Sequence, residues 1–90
     1  MKIITRNSDN EVLFMLDDSI EVTVTEDDIS YTEYVSEIDQ TFDNVLCDLN
    51  SSNATVHENI TVPEGAQIRR KTFDGTTWAD NPNYTEPLDI

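Results

Sequence analysis

Apolar and polar residues alternate most cleanly at Ile20-Glu21-Val22-Thr23-Val24-Thr25, where Ile20, Val22 and Val24 fall on one side of an extended chain. Upstream, Lys2 to Arg6 reads as a short strand, and Asn7-Ser8-Asp9-Asn10 is a cluster of turn formers. Glu11 to Leu16 is apolar at nearly every position, as in a strand covered on both faces. Asp17-Asp18-Ser19 supplies the next turn. The pattern therefore predicts three strands before residue 26, arranged as a tight β-meander.

The period changes between residues 26 and 49. Apolar residues at 31, 34, 35, 38, 42, 45, 46 and 49 follow helical spacing. Ser30 and Glu33 have the spacing of a capping box, and Ile29 and Tyr34 that of a hydrophobic staple. Early Asp and Glu suit a helix dipole. Thr, Ser, Asp, Asn and β-branched residues are mediocre helix formers, however, and the acids lack basic partners four residues on. The expectation is one short helix around 30–40.

Beyond the Asn50–Asn53 loop, Ala54 to Val62 reads as a strand. Thr55, His57, Asn59 and Thr61 would form one face of it, and Val56, Ile60 and Val62 the other. Pro63-Glu64-Gly65 follows as a turn with Pro at its second position and Gly at its fourth. Gln67 to Phe73 then feeds Asp74-Gly75, the strongest short-range hairpin signal in the chain. A two-residue type I′ turn places Phe73 opposite Thr76, Thr72 opposite Thr77 and Lys71 opposite Trp78, so that Phe73 and Trp78 need not share a face. Trp78, the single Trp, is the largest apolar surface on offer and the first choice as core or contact anchor. Pro82 ends the hairpin because it has no N–H for a ladder bond. The polar tail from Thr85 to Ile90 reads as peripheral. The fold class is mainly β: a small antiparallel β-sheet domain, meander plus C-terminal hairpin, spanning 1–90 as a single unit with one short helix.

Composition supports folding, with twenty-three Leu, Ile, Val and Phe among 90 residues. A domain of this size buries roughly 60–65% of its unfolded surface, so it is marginally stable alone. Charge changes the picture more. The net charge is −14, and between Asn7 and Ile68 there are 15 carboxylates and no Lys or Arg. Phosphate binding requires cations, which argues against nucleic acid and against anionic membrane surfaces as partners. The remaining roles for the acidic surface are solubility, docking of a basic protein, or mimicry of the phosphate array of DNA. No 18-residue apolar run is present, and the start is too short and too quickly polar for a signal peptide. One cysteine permits no intrachain disulfide.

Candidate chemistry is sparse. His57 is alone, where zinc needs ligands in groups, and reads as a hydrogen-bonded strand histidine. Cys47, among Val45, Leu46 and Leu49, reads as a buried inert thiol. Glu26-Asp27-Asp28 and the acids from Asp39 to Asp48 could hold Ca²⁺ opportunistically, but an EF-hand loop is missing its Gly. Asn53-Ala54-Thr55, Asn59-Ile60-Thr61 and Asn83-Tyr84-Thr85 are formal glycosylation acceptors, explained by chance in an Asn- and Thr-rich chain. No cofactor is implied. Arg69-Arg70-Lys71 is the sole basic run and would suit an acidic surface, including that of a second copy of the chain.

Three stretches carry a resemblance: Arg6 to Asn10 leading into a strand; Leu49 to Glu58 before Pro63; and Phe73-Asp74-Gly75-Thr76-Thr77-Trp78 before Asn81-Pro82-Asn83-Tyr84. Together they resemble small proteins without assigned chemistry encoded by tailed bacteriophages, especially marine and cyanobacterial ones, near tail or tail-fibre genes. The resemblance spans most of the chain outside roughly 26–47. It implies a non-enzymatic virion protein, associated with the tail, tail fibre or capsid, that contacts other phage proteins or its own copies. The expected contact surface is Trp78, Tyr84, Arg69, Arg70 and Lys71, because aromatic and Arg side chains dominate binding energy. The alternatives are an acidic DNA-mimic inhibitor of a host nuclease or restriction enzyme, and a fibre-assembly chaperone.

Overall fold

Ile3 and Ile4 are neighbours in sequence and both fully buried. Successive strand residues point to opposite faces, so this strand must be covered on both sides. The computed structural model, which describes residues 1–84, shows the two covers. Strand β1 (Lys2–Arg6) lies between β2 (Val12–Leu16) and β6 (Ala54–His57), antiparallel to each. On one face Ile3 joins Val12 and Phe73, and Met15, Ile60, Val62 and Trp78 pack around them. On the other, Ile4 joins Ile29 and Ala54, within a ring that includes Phe14, Val22, Leu46 and Val56. The first cluster is roofed by the hairpin of β7 (Lys71–Phe73) and β8 (Trp78–Asp80). The second is roofed by a sheet of β3 (Val22–Val24), β4 (Ile29–Val35) and β5 (Gln40–Leu46). The domain is mainly β and antiparallel, as the sequence predicts.

The opening meander is not formed. β3 pairs with β4, with Val22 opposite Tyr31 and Val24 opposite Ile29, and not with β2. The outer edge of β2 is already occupied. The Arg69 N–H donates to the Val12 carbonyl (2.6 Å), the Phe73 N–H to the Asn10 carbonyl (2.9 Å), and Glu11 bridges to Thr72.

The helix expected around 30–40 is replaced by the β4–β5 hairpin, and the described residues contain no helix. Seven residue pairs run from Ile29–Leu46 to Val35–Gln40. Ser36 to Asp39 close the turn, with Asp39 at φ 49°. Thr, Tyr and Val favour a pleated strand, and a long cross-strand register outweighs a cap with no basic i+4 partner behind it. Six of the eight apolar positions that matched a helix fall on the two strands, with Ile38 in the turn and Leu49 just beyond β5. Asn7 to Asn10 turn β1 into β2 similarly: Asn10, at φ 60°, donates to the Arg6 carbonyl (2.8 Å).

Three further expectations are corrected. The strand from Ala54 ends at His57, because Asn59 at φ 56° breaks the alternation. Ile60 and Val62 consequently reach the first cluster, while Val56 stays in the second. The Pro63 turn starts one residue later than expected. The Ala66 N–H donates to the Pro63 carbonyl (3.1 Å), which puts Gly65 (φ 80°) third, where a type II turn needs positive φ. The strand expected from Gln67 is confined to Lys71–Phe73, since Arg69 sits at φ 66°.

The C-terminal hairpin is also re-registered. Phe73 faces Trp78, Thr72 faces Ala79 and Lys71 faces Asp80, leaving four residues in the loop. A type I′ turn needs two consecutive positive φ values, and here Gly75 alone has one, at 103°. The Asp74 carboxylate instead accepts the Thr76 and Thr77 N–H groups (2.9 and 2.7 Å), widening the loop. β8 ends at Asp80, before Pro82, as expected. The tail from Thr85 lies outside the described residues.

Candidate functional site

The five residues expected to form a contact surface are divided between the two ends of the hairpin. Trp78, at the turn end, stacks obliquely on Phe73 with ring centroids 4.8 Å apart and is half-buried over the first cluster. At the open end, the Arg70 guanidinium lies 5.1 Å from the centroid of the Tyr84 ring, a cation–π contact. Beside it, Lys71 donates to Asp80 across the ladder (2.5 Å). Arg70, Lys71, Asp80, Asn81 and Tyr84 line a shallow depression of about 330 Å³.

Arg69 turns away toward Glu11, the centre of a network that sequence reasoning missed. Glu11 Oε2 accepts from Arg6 (2.5 Å) and Arg69 (3.1 Å), and Oε1 accepts the buried amide of Asn81 (2.9 Å). The same amide donates to the Arg69 carbonyl (2.7 Å), and Asn81 N–H to the Arg70 carbonyl (3.0 Å). These bonds tie the β1–β2 turn, the Arg69 turn and the end of β8 together. Lys2 donates to the Ile20 carbonyl. Every Lys and Arg of the chain thus has an intramolecular contact.

The titratable groups elsewhere serve local structure. His57 meets Thr5 Oγ1 through Nε2 (3.0 Å) and sets its ring edge-on to Phe73, as a hydrogen-bonded strand histidine should. Burial lowers its pKa, and the Asp74 carboxylate opposes the shift. Asp74 is itself held below the usual carboxylate range by the N–H groups of Thr77 and Thr76. Asp80 is held down by Lys71, and Asp18 by the N-terminal ammonium. Cys47, expected to be buried, is exposed. The chain turns just after β5, with Leu49 N–H donating to the Leu46 carbonyl (3.1 Å), and this points both leucines inward and the thiol out. No group of three or more His, Cys, Asp or Glu side chains among the described residues is placed to share a metal ion. Asn53, a formal glycosylation acceptor, uses its side chain to hold the 48–53 turn, accepting from Asn50 N–H (2.8 Å) and donating to the Asp48 carbonyl (2.9 Å).

The surface that sequence reasoning missed altogether is the β4–β5 hairpin. Its base is anchored by Ile29 and Leu46 in the second cluster, but β3 covers only the first three residues of β4. Beyond Tyr31 the two strands continue as a projecting ribbon. Tyr34 (60%), Ile38 (54%) and Phe42 (43%) are exposed on it, and Val45 (53%) is exposed at its base opposite Ser30. Tyr34 and Val45 lie on the outer face, and Phe42 continues the face that begins at Ile29. Glu33, Glu37, Asp39 and Asp43 supply the only charges of the hairpin. Tyr34 donates to Asp39 (2.5 Å), a bond that raises the phenol pKa. The β-formers on both sides of Ser36 to Asp39 were the available signal, masked by the helical spacing. Comparison with protein-family models, curated proteins and solved structures finds no match to this chain.

Proposed function

We propose that the protein is a non-enzymatic contact module of a phage particle, joining other structural proteins at the tail, tail fibre or capsid. The observation that carries the contact role is the β4–β5 hairpin, which displays Tyr34, Ile38, Phe42 and Val45 to solvent while only its base belongs to the core. A domain this small gains stability by burying such residues, and leaving them out is what a binding surface requires. The resemblance to small tailed-phage proteins supplies the setting. Arg70, Lys71 and Tyr84 form a second, polar surface at the open end of the C-terminal hairpin. Mass spectrometry of purified particles, with copy number per particle, tests the reading. Stoichiometric presence is expected, and the copy number separates capsid attachment from tail-fibre attachment. Abundance in infected cells with absence from particles would overturn it.

A further inference from the structure

Among the described residues, β5 is the last strand of its sheet and pairs with β4 alone. An edge strand offers a row of unpaired N–H and C=O groups to any extended chain that fits. Edges not meant for pairing are shortened, bulged or covered. β5 is seven residues long and runs in unbroken register from Gln40 to Leu46. Its middle residue is Asp43, whose carboxylate accepts from the Thr32 hydroxyl on β4 (2.9 Å) and keeps its charge at the exposed edge.

That carboxylate decides what can pair there. A full-length antiparallel β5–β5 dimer would set Asp43 against its own copy, and like charges directly opposite one another destabilise a ladder. The second copy has no cation to relieve this. Lys2, Arg6, Arg69 and Lys71 are hydrogen-bonded within their own chain, and Arg70 sits over Tyr84. Glu33, Glu37 and Asp39 add to the same negative field. Phe42 and Val45, on opposite faces of the strand, would stand directly opposite Asn44 and Thr41 of the second copy, both polar.

We propose that the free edge of β5 takes an extended basic segment of a partner protein as an added strand, with a Lys or Arg opposite Asp43 and apolar side chains against Phe42. Backbone bonds supply the affinity, and the alternating basic and apolar positions supply the selectivity. This rests on the contact-module reading and names its binding mode and the chemistry of its partner.

The test uses the full chain and two labelled nine-residue peptides, one alternating Lys and Val, the other Glu and Val. Fluorescence anisotropy gives affinity, and amide hydrogen exchange locates the binding. The Lys peptide should bind at least tenfold more tightly and slow exchange in residues 40–46. Asp43→Lys should reverse the preference, and Phe42→Ser should weaken the Lys peptide without changing the circular dichroism of the fold. Binding that slows no β5 amide, or that survives Asp43→Lys undiminished, would overturn strand addition, since diffuse charge attraction would then explain it. Sedimentation of the free protein as a dimer with β5 protected would also overturn it, the second copy being the occupant. A chain that is stoichiometric in particles yet fails these tests keeps the contact-module reading and loses the β5 mode. Peptide binding at β5 by a chain absent from particles does the reverse.

Discussion

Glu11 is one carboxylate holding three segments that are far apart in sequence, and its removal should cost more than a surface charge ordinarily does. Its side chain is 12% exposed, whereas those of Arg6 and Arg69 are 40% and 57% exposed. The two guanidinium bonds therefore sit near the surface-pair value, about 0.2–1 kcal/mol each. The Asn81 amide is buried, and losing one of its acceptors costs about 1–2 kcal/mol, within the range for an unsatisfied group and moderated by the bond it keeps to the Arg69 carbonyl. Glu11→Ala should then destabilise the fold by about 2–3 kcal/mol, a large share of the total for a small domain. Thermal unfolding followed by circular dichroism should fall by about 10–20 °C, using the usual conversion for domains of 60–100 residues.

Urea unfolding of Glu11→Ala, Asn81→Ala and the double variant separates the terms. The two losses should be less than additive, because each variant already removes the shared bond. Glu11→Gln should fall between wild type and Glu11→Ala, since it keeps one acceptor oxygen and supplies an amide that cannot accept. A Glu11→Ala protein within about 0.5 kcal/mol of wild type, the range of ordinary surface substitutions, would refute the network as a stabilising element.

Phe73→Ala should cost about 3–5 kcal/mol, because Phe73 is fully enclosed, and Trp78→Ala roughly half of that, because Trp78 is only half-buried; the order is read from urea midpoints. His57 has a folded pKa below its ordinary value of about 6.5, so its contribution is complete above that pH and is lost as pH falls through the folded value. Stability should drop as pH falls below about 6.5, and His57→Gln should flatten that limb. Gly75→Ala and Gly65→Ala should each lose roughly 1–2 kcal/mol for placing a Cβ at positive φ. An added Cβ meets only His57, at 3.5 Å, in the first case and nothing within 4 Å in the second, so equal losses in thermal unfolding mark backbone strain and unequal ones mark packing.

The central sheet was legible because its strands carry their own instructions. Lys2 to Arg6 and Glu11 to Leu16 are apolar runs bounded by turn formers, and their pairing is local. Which strand lies beside which was not legible where non-local bonds decide it. The segment from Arg69 to Phe73 closes the edge of β2 and diverts β3 into a second sheet, and no property of residues 20–25 announces this. The C-terminal hairpin was located correctly and registered wrongly, because one side chain, Asp74, captures the N–H groups that a tighter turn would have left free. The central hairpin was misread because eight apolar residues matched a helical period while six of them, β-branched or aromatic, favoured strands.

That the expected contact residues are engaged within their own chain was hidden for a related reason. Arg69, Arg70, Lys71, Trp78 and Tyr84 have the composition of a binding surface, but composition does not say whether a side chain is already engaged. Trp78 is half-buried on Phe73, and the cations answer carboxylates or rings of their own chain. That internal use gives the protein its polarity. With all five bases confined to residues 1–6 and 69–71, where they pin the body, the hairpin at residues 29–46 carries four acids and no compensating charge. Under the proposed strand addition, that charge would repel a second copy and favour a partner that is both apolar and basic. On that proposal the large negative charge has a role beyond solubility: it restricts an exposed strand edge to one class of partner.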